Sequence, residues 1–203
     1  MPKLVSLQVA TSNPGKLREY RELAGDQPIQ FESVPGIAAL PPFHEGAPTF
    51  AENSAGKALY YSRFTSEPVI ADDSGLVVPA LGGAPGVHSA RYAGPNATDA
   101  DRVAKLVAEM SGKNGSERQA RFICVLTLAQ AGRAIAVFSD SVEGVLADEP
   151  RGSGGFGYDP IFYFEKLGKT YAEISRQEKN EYSHRGRAFR KLLRFLLSPE
   201  PFI

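Results

Sequence analysis

Two adjacent carboxylates, Asp72 and Asp73, follow the apolar run Val69-Ile70-Ala71 and precede Ser74-Gly75 and a second apolar run, Leu76-Val77-Val78. Short apolar runs bounded by turn residues read as buried strands. Acids at the end of such a run stand on the rim of a sheet, where ligands bind in open α/β folds. Neighbouring carboxylates there suit a hard divalent cation, Mg²⁺, with phosphate oxygens beside it. The same residues also read as a solvated turn between two strands.

A second group able to do chemistry is Thr11-Ser12-Asn13-Pro14-Gly15-Lys16, directly after the strand-like Leu4-Val5-Ser6-Leu7-Gln8-Val9. Asn13 suits an N-cap and Pro14 the first helical position. First-turn N–H groups, with Thr11, Ser12 and Lys16, then make an anion site. It is not a Walker A loop, because position 10 is Ala and position 17 is Leu. The plainer reading is a well-capped helix with an exposed lysine. The third group is Gly152-Ser153-Gly154-Gly155-Phe156-Gly157-Tyr158-Asp159-Pro160. Glycines let a backbone approach a ligand closely, and an aromatic held there stacks on a flat base. Against this stands a flexible loop whose Phe156 and Tyr158 plug a core. His44, His88 and His184 lie far apart, and position 48 is Pro, so no H-E-x-x-H zinc motif exists.

The elements that must position these groups follow from caps and periodicity. Residues 29–34 read as a strand, and 35–48 as a Pro- and Gly-rich loop carrying His44 and Glu45. Thr49 with Glu52 opens a helix running to about Phe64 and carrying Lys57. Thr98 with Asp101, and Ser175 with Glu178, mark two more helix starts. Residues 120–128 and 134–146 read as a hairpin connected through Gln130-Ala131-Gly132-Arg133, with Gly132 in the turn. Ser183-His184-Arg185 opens the last helix, whose buried stripe is Phe189, Leu192, Leu193 and Leu196. Residues 199–203 read as a short tail.

Composition narrows the function classes. The 203 residues suit one large or two small domains. Lys plus Arg and Asp plus Glu are 23 each, so no global field holds a long polyanion and a nucleic-acid polymer is disfavoured. Cys124 is the single cysteine, which excludes an intramolecular disulfide; its apolar flanks indicate a buried thiol in a reduced compartment. No apolar run is long enough for a membrane span, and no secretory signal pattern opens the sequence, so a cytoplasmic protein is expected.

Taken together and in order, Thr11 to Lys16, Ala71-Asp72-Asp73-Ser74-Gly75, Gly154 to Pro160 and Ser183-His184-Arg185 resemble the inosine triphosphate pyrophosphatase family, which includes the bacterial XTP/dITP pyrophosphatases. Leu81-Gly82-Gly83-Ala84-Pro85-Gly86 and Ser89-Ala90-Arg91-Tyr92 are also close to the bacterial pattern. The resemblance spans nearly the whole chain. It implies an α/β fold forming a single domain over residues 1–203, with two lobes around a long central mixed sheet flanked by helices. The nucleotide would lie in the cleft between the lobes. It further implies a homodimer and Mg²⁺-dependent hydrolysis of ITP, dITP and XTP to monophosphate and pyrophosphate, which keeps mutagenic precursors out of nucleic acid.

Residue by residue, Thr11, Ser12, Asn13, Pro14, Gly15 and Lys16 match the family's phosphate segment. Asp73 matches the general base and metal ligand, and Ser74 a substrate contact. Phe156, Gly157, Tyr158 and Asp159 match the base-stacking loop, Lys179 a lysine near the substrate, and His184 and Arg185 the pair that reads the base edge. One departure stands out. Where the family has two acids before Thr49-Phe50, this chain has His44-Glu45, with His44 aligned on the usual metal-binding acid. Two outcomes are open: Glu45 takes over as the second ligand through a small shift of the loop, or a water fills the coordination site. Asn53-Ser54 replaces a more common Asn-Ala, a change expected to be harmless.

The chemistry fits these residue types. Cleavage of an α–β phosphoanhydride needs charge neutralisation, an oriented water and a held leaving group. Lys16, Lys57 and Lys179 carry the charge to meet a triphosphate. A donor such as Arg185 or His184 suits the C6 oxygen of hypoxanthine or xanthine and opposes the C6 amine of adenine; an unmatched buried polar group costs roughly 1–3 kcal/mol. Two alternatives remain: a Maf-like pyrophosphatase acting on other nucleotides, and a non-catalytic nucleotide- or RNA-binding module. The His184-Arg185 pair weighs against the first, and the neutral charge and Asp72-Asp73 against the second.

Overall fold

The computed structural model of the chain describes residues 5–11 and 14–198. Its strands are β1 (Val5–Val9), β2 (Ile29–Ser33), β3 (Val69–Val77), β4 (Gln119–Gln130), β5 (Arg133–Leu146), β6 (Phe162–Phe164) and β7 (Lys169–Thr170). They hydrogen-bond as one mixed sheet in the order β2-β1-β3-β4-β5-β6-β7. β1 is parallel to both β2 and β3, whereas β5, β6 and β7 pair antiparallel. Parallel strands are covered on both faces, and β3 is accordingly buried along most of its length. The hairpin turns where expected, with Ala131 and Gly132 at φ 49° and 75°. Two left-handed residues give the turn whose twist matches paired strands.

The helices are α1 (Pro14–Ala24), α2 (Phe50–Tyr61), α3 (Asp99–Glu109), α4 (Arg176–Tyr182) and α5 (His184–Leu196). Side-chain caps set three of their starts. The Thr49 hydroxyl accepts from the Glu52 N–H, and Thr98–Asp101 and Ser175–Glu178 form reciprocal capping boxes. α2 stops at Tyr61, three residues before the expected Phe64. Asn13, expected to cap α1, lies outside the described residues, as do Ser12 and the tail 199–203. Among the described residues no helix is long and apolar enough to cross a membrane.

The chain divides into two compact units. The first comprises residues up to 73, 124–140 and from 185 onward. Its core gathers Leu7, Tyr20, Phe31, Ile70, Leu126 and Phe189, with the three rings 5.4–6.0 Å apart. Phe189 and Leu192 of the predicted stripe lie in it; Leu193 and Leu196 pack on its margin. Cys124 is buried as expected, and burial, with the charge of Asp72, pushes its thiol up to about 12, which makes it a packing residue. The second unit comprises residues 74–123 and 141–184, with a core of Leu76, Leu106, Met110, Phe122, Phe162 and Tyr171. β3, β4 and β5 each run from one unit into the other.

Candidate active site

The acids do not stand in a turn. β3 continues without interruption from Val69 through Asp72-Asp73-Ser74-Gly75 to Val77, so the rim and turn expectations give way to two carboxylates inside a strand. Asp72 is 2% and Asp73 7% exposed. Successive strand residues point to opposite faces, so each acid has its own surroundings. A buried carboxylate must be paired to remain charged, and Asp72 is. Lys16, on the first turn of α1, lies 3.0 Å from its Oδ2, and Arg185, at the start of α5, 3.4 Å from it. Arg185 also donates to Glu19 at 2.7 Å. Burial opposes the charge of Asp72, but Lys16, Arg185 and Lys57 outweigh it and hold the carboxyl well below its usual range.

Asp73 has the opposite balance. Burial and the nearby charge of Glu45 push its carboxyl up to about 6, against the pull of Lys57 and a hydrogen bond from Asn53. One helix assembles this side of the site. Asn53, Ser54 and Lys57 of α2 stand at helical spacing. Asn53 exchanges two hydrogen bonds with the backbone of Ala47, at 3.0 and 3.2 Å, and so fixes the loop that carries Glu45. Ser54 donates to the Ala71 carbonyl at 3.0 Å, just before the acids, and lies 2.9 Å from the Thr127 hydroxyl. Lys57 donates to the Asp72 carbonyl at 3.0 Å and is ion-paired with Glu45. Gly56 lets the loop approach, since a Cβ there would come within 2.6 Å of the Phe43 ring.

The glycine-aromatic loop is organised within the second unit. The Asp159 carboxylate accepts from the Phe156 N–H at 2.7 Å and from Lys179 at 2.5 Å. Lys179 in turn lies 4.2 Å from the centre of the Phe156 ring. Phe156 is 41% exposed, whereas Tyr158 is buried, its hydroxyl donating to the Ser89 carbonyl at 2.9 Å. The two aromatics therefore part: Tyr158 plugs the core and Phe156 presents its ring at the surface. His184 is buried and stacks on Phe122, with centroids 4.7 Å apart and 9° between planes. Gly155 has φ +71° and a Cβ there would collide with the Asp159 carboxylate. Gly155→Ala is expected to destabilise the chain by about 1–3 kcal/mol; thermal unfolding checks it, and an unchanged midpoint would show that Asp159 yields to the added Cβ.

The sequence model of the Ham1 family matches residues 7–195. The chain belongs to the Ham1 family. It is 50% identical over 184 residues to the dITP/XTP pyrophosphatase of Geobacillus kaustophilus, covering 91% of this chain and 90% of that one. It is 49% identical over 185 residues to the dITP/XTP pyrophosphatase of Thermus thermophilus, covering 91% and 88%. A solved HAM1 protein from Coxiella burnetii superposes with TM-score 0.86 at 42% identity, over 95% of this chain and 98% of that one.

In this Ham1 chain the residues expected from sequence fall into two groups. The first unit brings Lys16, Glu45, Lys57, Asp73 and Arg185 around the acids of β3. Thr11 and Gly15 flank this group in sequence, and Pro14 opens α1. The second unit brings Phe156, Gly157, Asp159 and Lys179 into one loop assembly, with Ser74 half-buried on β3. His184 and Arg185, adjacent in sequence, divide: the imidazole stacks on Phe122 and the guanidinium serves two carboxylates. Sequence reasoning missed Glu19, which holds Arg185, and Asp99, whose carboxylate accepts from Gly157 N–H at 2.7 Å. Asp99 follows the Thr98 cap directly, and that position was its one available signal. A cavity of about 440 Å³ beside it, against Val103, Val107, Pro150 and Pro160, is walled almost wholly by apolar atoms and suits no triphosphate.

The donor set fits a divalent cation. Burial, and after it the charge of Glu45, raise the Asp73 carboxyl, and Lys57 offsets them in part. Among the described residues no three His, Cys, Asp or Glu side chains converge. Two carboxylates with the remaining positions left to water and phosphate oxygens is the mode Mg²⁺ favours. His44, by contrast, is exposed.

Proposed function

We propose that this chain hydrolyses ITP, dITP and XTP to the monophosphate and pyrophosphate, with Mg²⁺. The observation that carries the reading is the asymmetric pair on β3: Asp72 held charged by Lys16 and Arg185, and Asp73 poised near neutrality beside Glu45. The relatives named dITP/XTP pyrophosphatase support the substrate class.

Water attacks the α-phosphorus, the α–β anhydride bond breaks, and pyrophosphate leaves. Asp73, whose burial and neighbour Glu45 raise its proton affinity in the metal-free chain, is suited to take the proton of that water. Lys16 and Lys57 meet the charge of the triphosphate, and the N–H groups of the first turn of α1 add directed donors; Thr11, Ser12, Asn13, Pro14 and Gly15 belong to the phosphate segment that the sequence resemblance implies. Asp72 is no base in this scheme; it fixes Lys16 and, through its carbonyl, Lys57. Bound at Glu45 and Asp73, Mg²⁺ would neutralise phosphate oxygens and lower the pKa of a coordinated water.

For the base, Phe156 supplies the stacking face, Asp159 and Lys179 hold that loop in shape, Gly157 is tied to Asp99 and Tyr158 anchors the loop in the core; Ser74 is a further substrate contact in this reading. His184 takes the C6 oxygen first, since Arg185 already answers to Glu19 and Asp72. Homodimerisation and a cytoplasmic location belong to the same reading; sedimentation showing a monomer at assay concentration would remove the dimer.

Pyrophosphate release from ITP, XTP, ATP and GTP, with and without Mg²⁺, tests the proposal. Metal-dependent release from ITP and XTP, at least about tenfold faster than from ATP, is expected from one unmatched polar group. Equal rates on all four would reject base reading by His184 and Arg185, and no release would reject the enzyme.

A further inference from the structure

Lys57 is tied to the acids twice, by an ion pair with Glu45 and by a hydrogen bond to the Asp72 carbonyl at 3.0 Å. It stands among Asp72, Glu45 and Asp73, mostly shielded from water at 12% side-chain exposure. The Asn53 clamp on Ala47 and the close approach at Gly56 keep the Glu45 loop against the helix that carries this lysine. A divalent cation held by Glu45 and Asp73 therefore meets a positive charge already in place.

We propose that Lys57 is a resident counter-cation that competes with the divalent ion for Glu45. Without nucleotide, the chain holds the ion weakly, because binding it separates Lys57 from Glu45. A triphosphate supplies a new partner for the released ammonium, so nucleotide and ion strengthen each other's binding, as linkage requires. The inference rests on the functional reading for the placement of the ion at Glu45 and Asp73.

The test uses the full chain without nucleotide and MnCl2 as probe, with free Mn²⁺ read by electron paramagnetic resonance. Lys57→Met is expected to bind Mn²⁺ about tenfold more tightly than the unaltered chain, within the range of ordinary site-to-site coupling. Lys57→Arg, which keeps the charge, is expected to bind as the unaltered chain does. A merely structural lysine predicts the reverse, because its loss loosens the acids. Unchanged or weaker binding by Lys57→Met overturns the proposal, as does absence of binding in every form. Should Lys57→Met fail to fold, the unaltered chain labelled with 13Cε-lysine decides. The Lys57 resonance, assigned by its absence in Lys57→Arg, is expected to shift with MgCl2 but not with KCl at matched ionic strength, and a stationary resonance overturns the competition. Since neither measurement reads hydrolysis, failure of pyrophosphate release would strike the functional reading and leave this result to stand or fall alone.

Discussion

Asp73→Asn is expected to lower kcat for ITP by about 10³-fold, the range for removal of a positioned general base, and at the same time to make the metal-free protein more stable at pH 8. The second effect follows from linkage. Burial and Glu45 raise the Asp73 carboxyl from the ordinary 3.8 to about 6. Through that window the folded chain binds more protons than the unfolded chain, so stability falls as pH rises. Above it the ionised carboxylate costs on the order of 1–3 kcal/mol. An amide of the same shape keeps a partner for Asn53 without the charge. Thermal unfolding of both proteins from pH 4 to 8 should thus diverge upward with pH, with the variant ahead at the alkaline end and the two nearly equal at pH 4. A variant less stable than the unaltered chain at pH 8 would mean that Asp73 is held by attractions stronger than its burial cost. Retained turnover would remove it from the reaction.

The elements around this site were legible because local rules decide them. Thr49, Thr98 and Ser175 announce α2, α3 and α4 through caps that need only three neighbouring residues, and Ala131-Gly132 announces the hairpin. The acids were legible as residues but not as an environment. Asp-Asp-Ser-Gly has the composition of a turn, and only partners remote in sequence allow it to lie inside a strand; Arg185 is 113 residues from Asp72. The separation of Phe156 from Tyr158 has the same origin. Both are aromatics beside glycine, and the Ser89 carbonyl, remote in sequence, determines which is drawn into the core. At His44-Glu45 alignment on Thr49-Phe50 favours the first residue for the metal, whereas in the structure the first is exposed and the second is ion-paired with Lys57 beside the Asn53 clamp on Ala47. Ser54 was expected to be harmless; its fully buried hydroxyl meets the Ala71 carbonyl and the Thr127 hydroxyl, partners 17 and 73 residues away that no local pattern shows.

Asp72→Asn, one residue away and chemically the same change, is expected to act with the opposite sign on stability. Removing this carboxylate strips Arg185 and Lys16 of a charged partner in a site where both acid and guanidinium are almost wholly buried. Breaking a buried pair from one side typically costs 3–5 kcal/mol; Glu19 still answers Arg185 and Lys16 is partly exposed, so about 3 kcal/mol is expected here. The pH dependence also differs. A depressed carboxyl contributes stability that is fully present above its unfolded value of 3.8 and is lost as pH falls below it. The unaltered chain therefore loses this contribution in acid, and the variant, lacking it throughout, should show a flatter acid limb. Turnover should fall by about 10²-fold through misplacement of Lys16, with no loss of the proton acceptor and with the Asp72 carbonyl still holding Lys57. Denaturant unfolding at pH 7 and pH 3 reads the stability difference directly. Shifts of the same sign in Asp72→Asn and Asp73→Asn would show that the two faces of β3 are not electrically distinct, and the division of labour between a charge-fixing acid and a proton-accepting acid would fail with it.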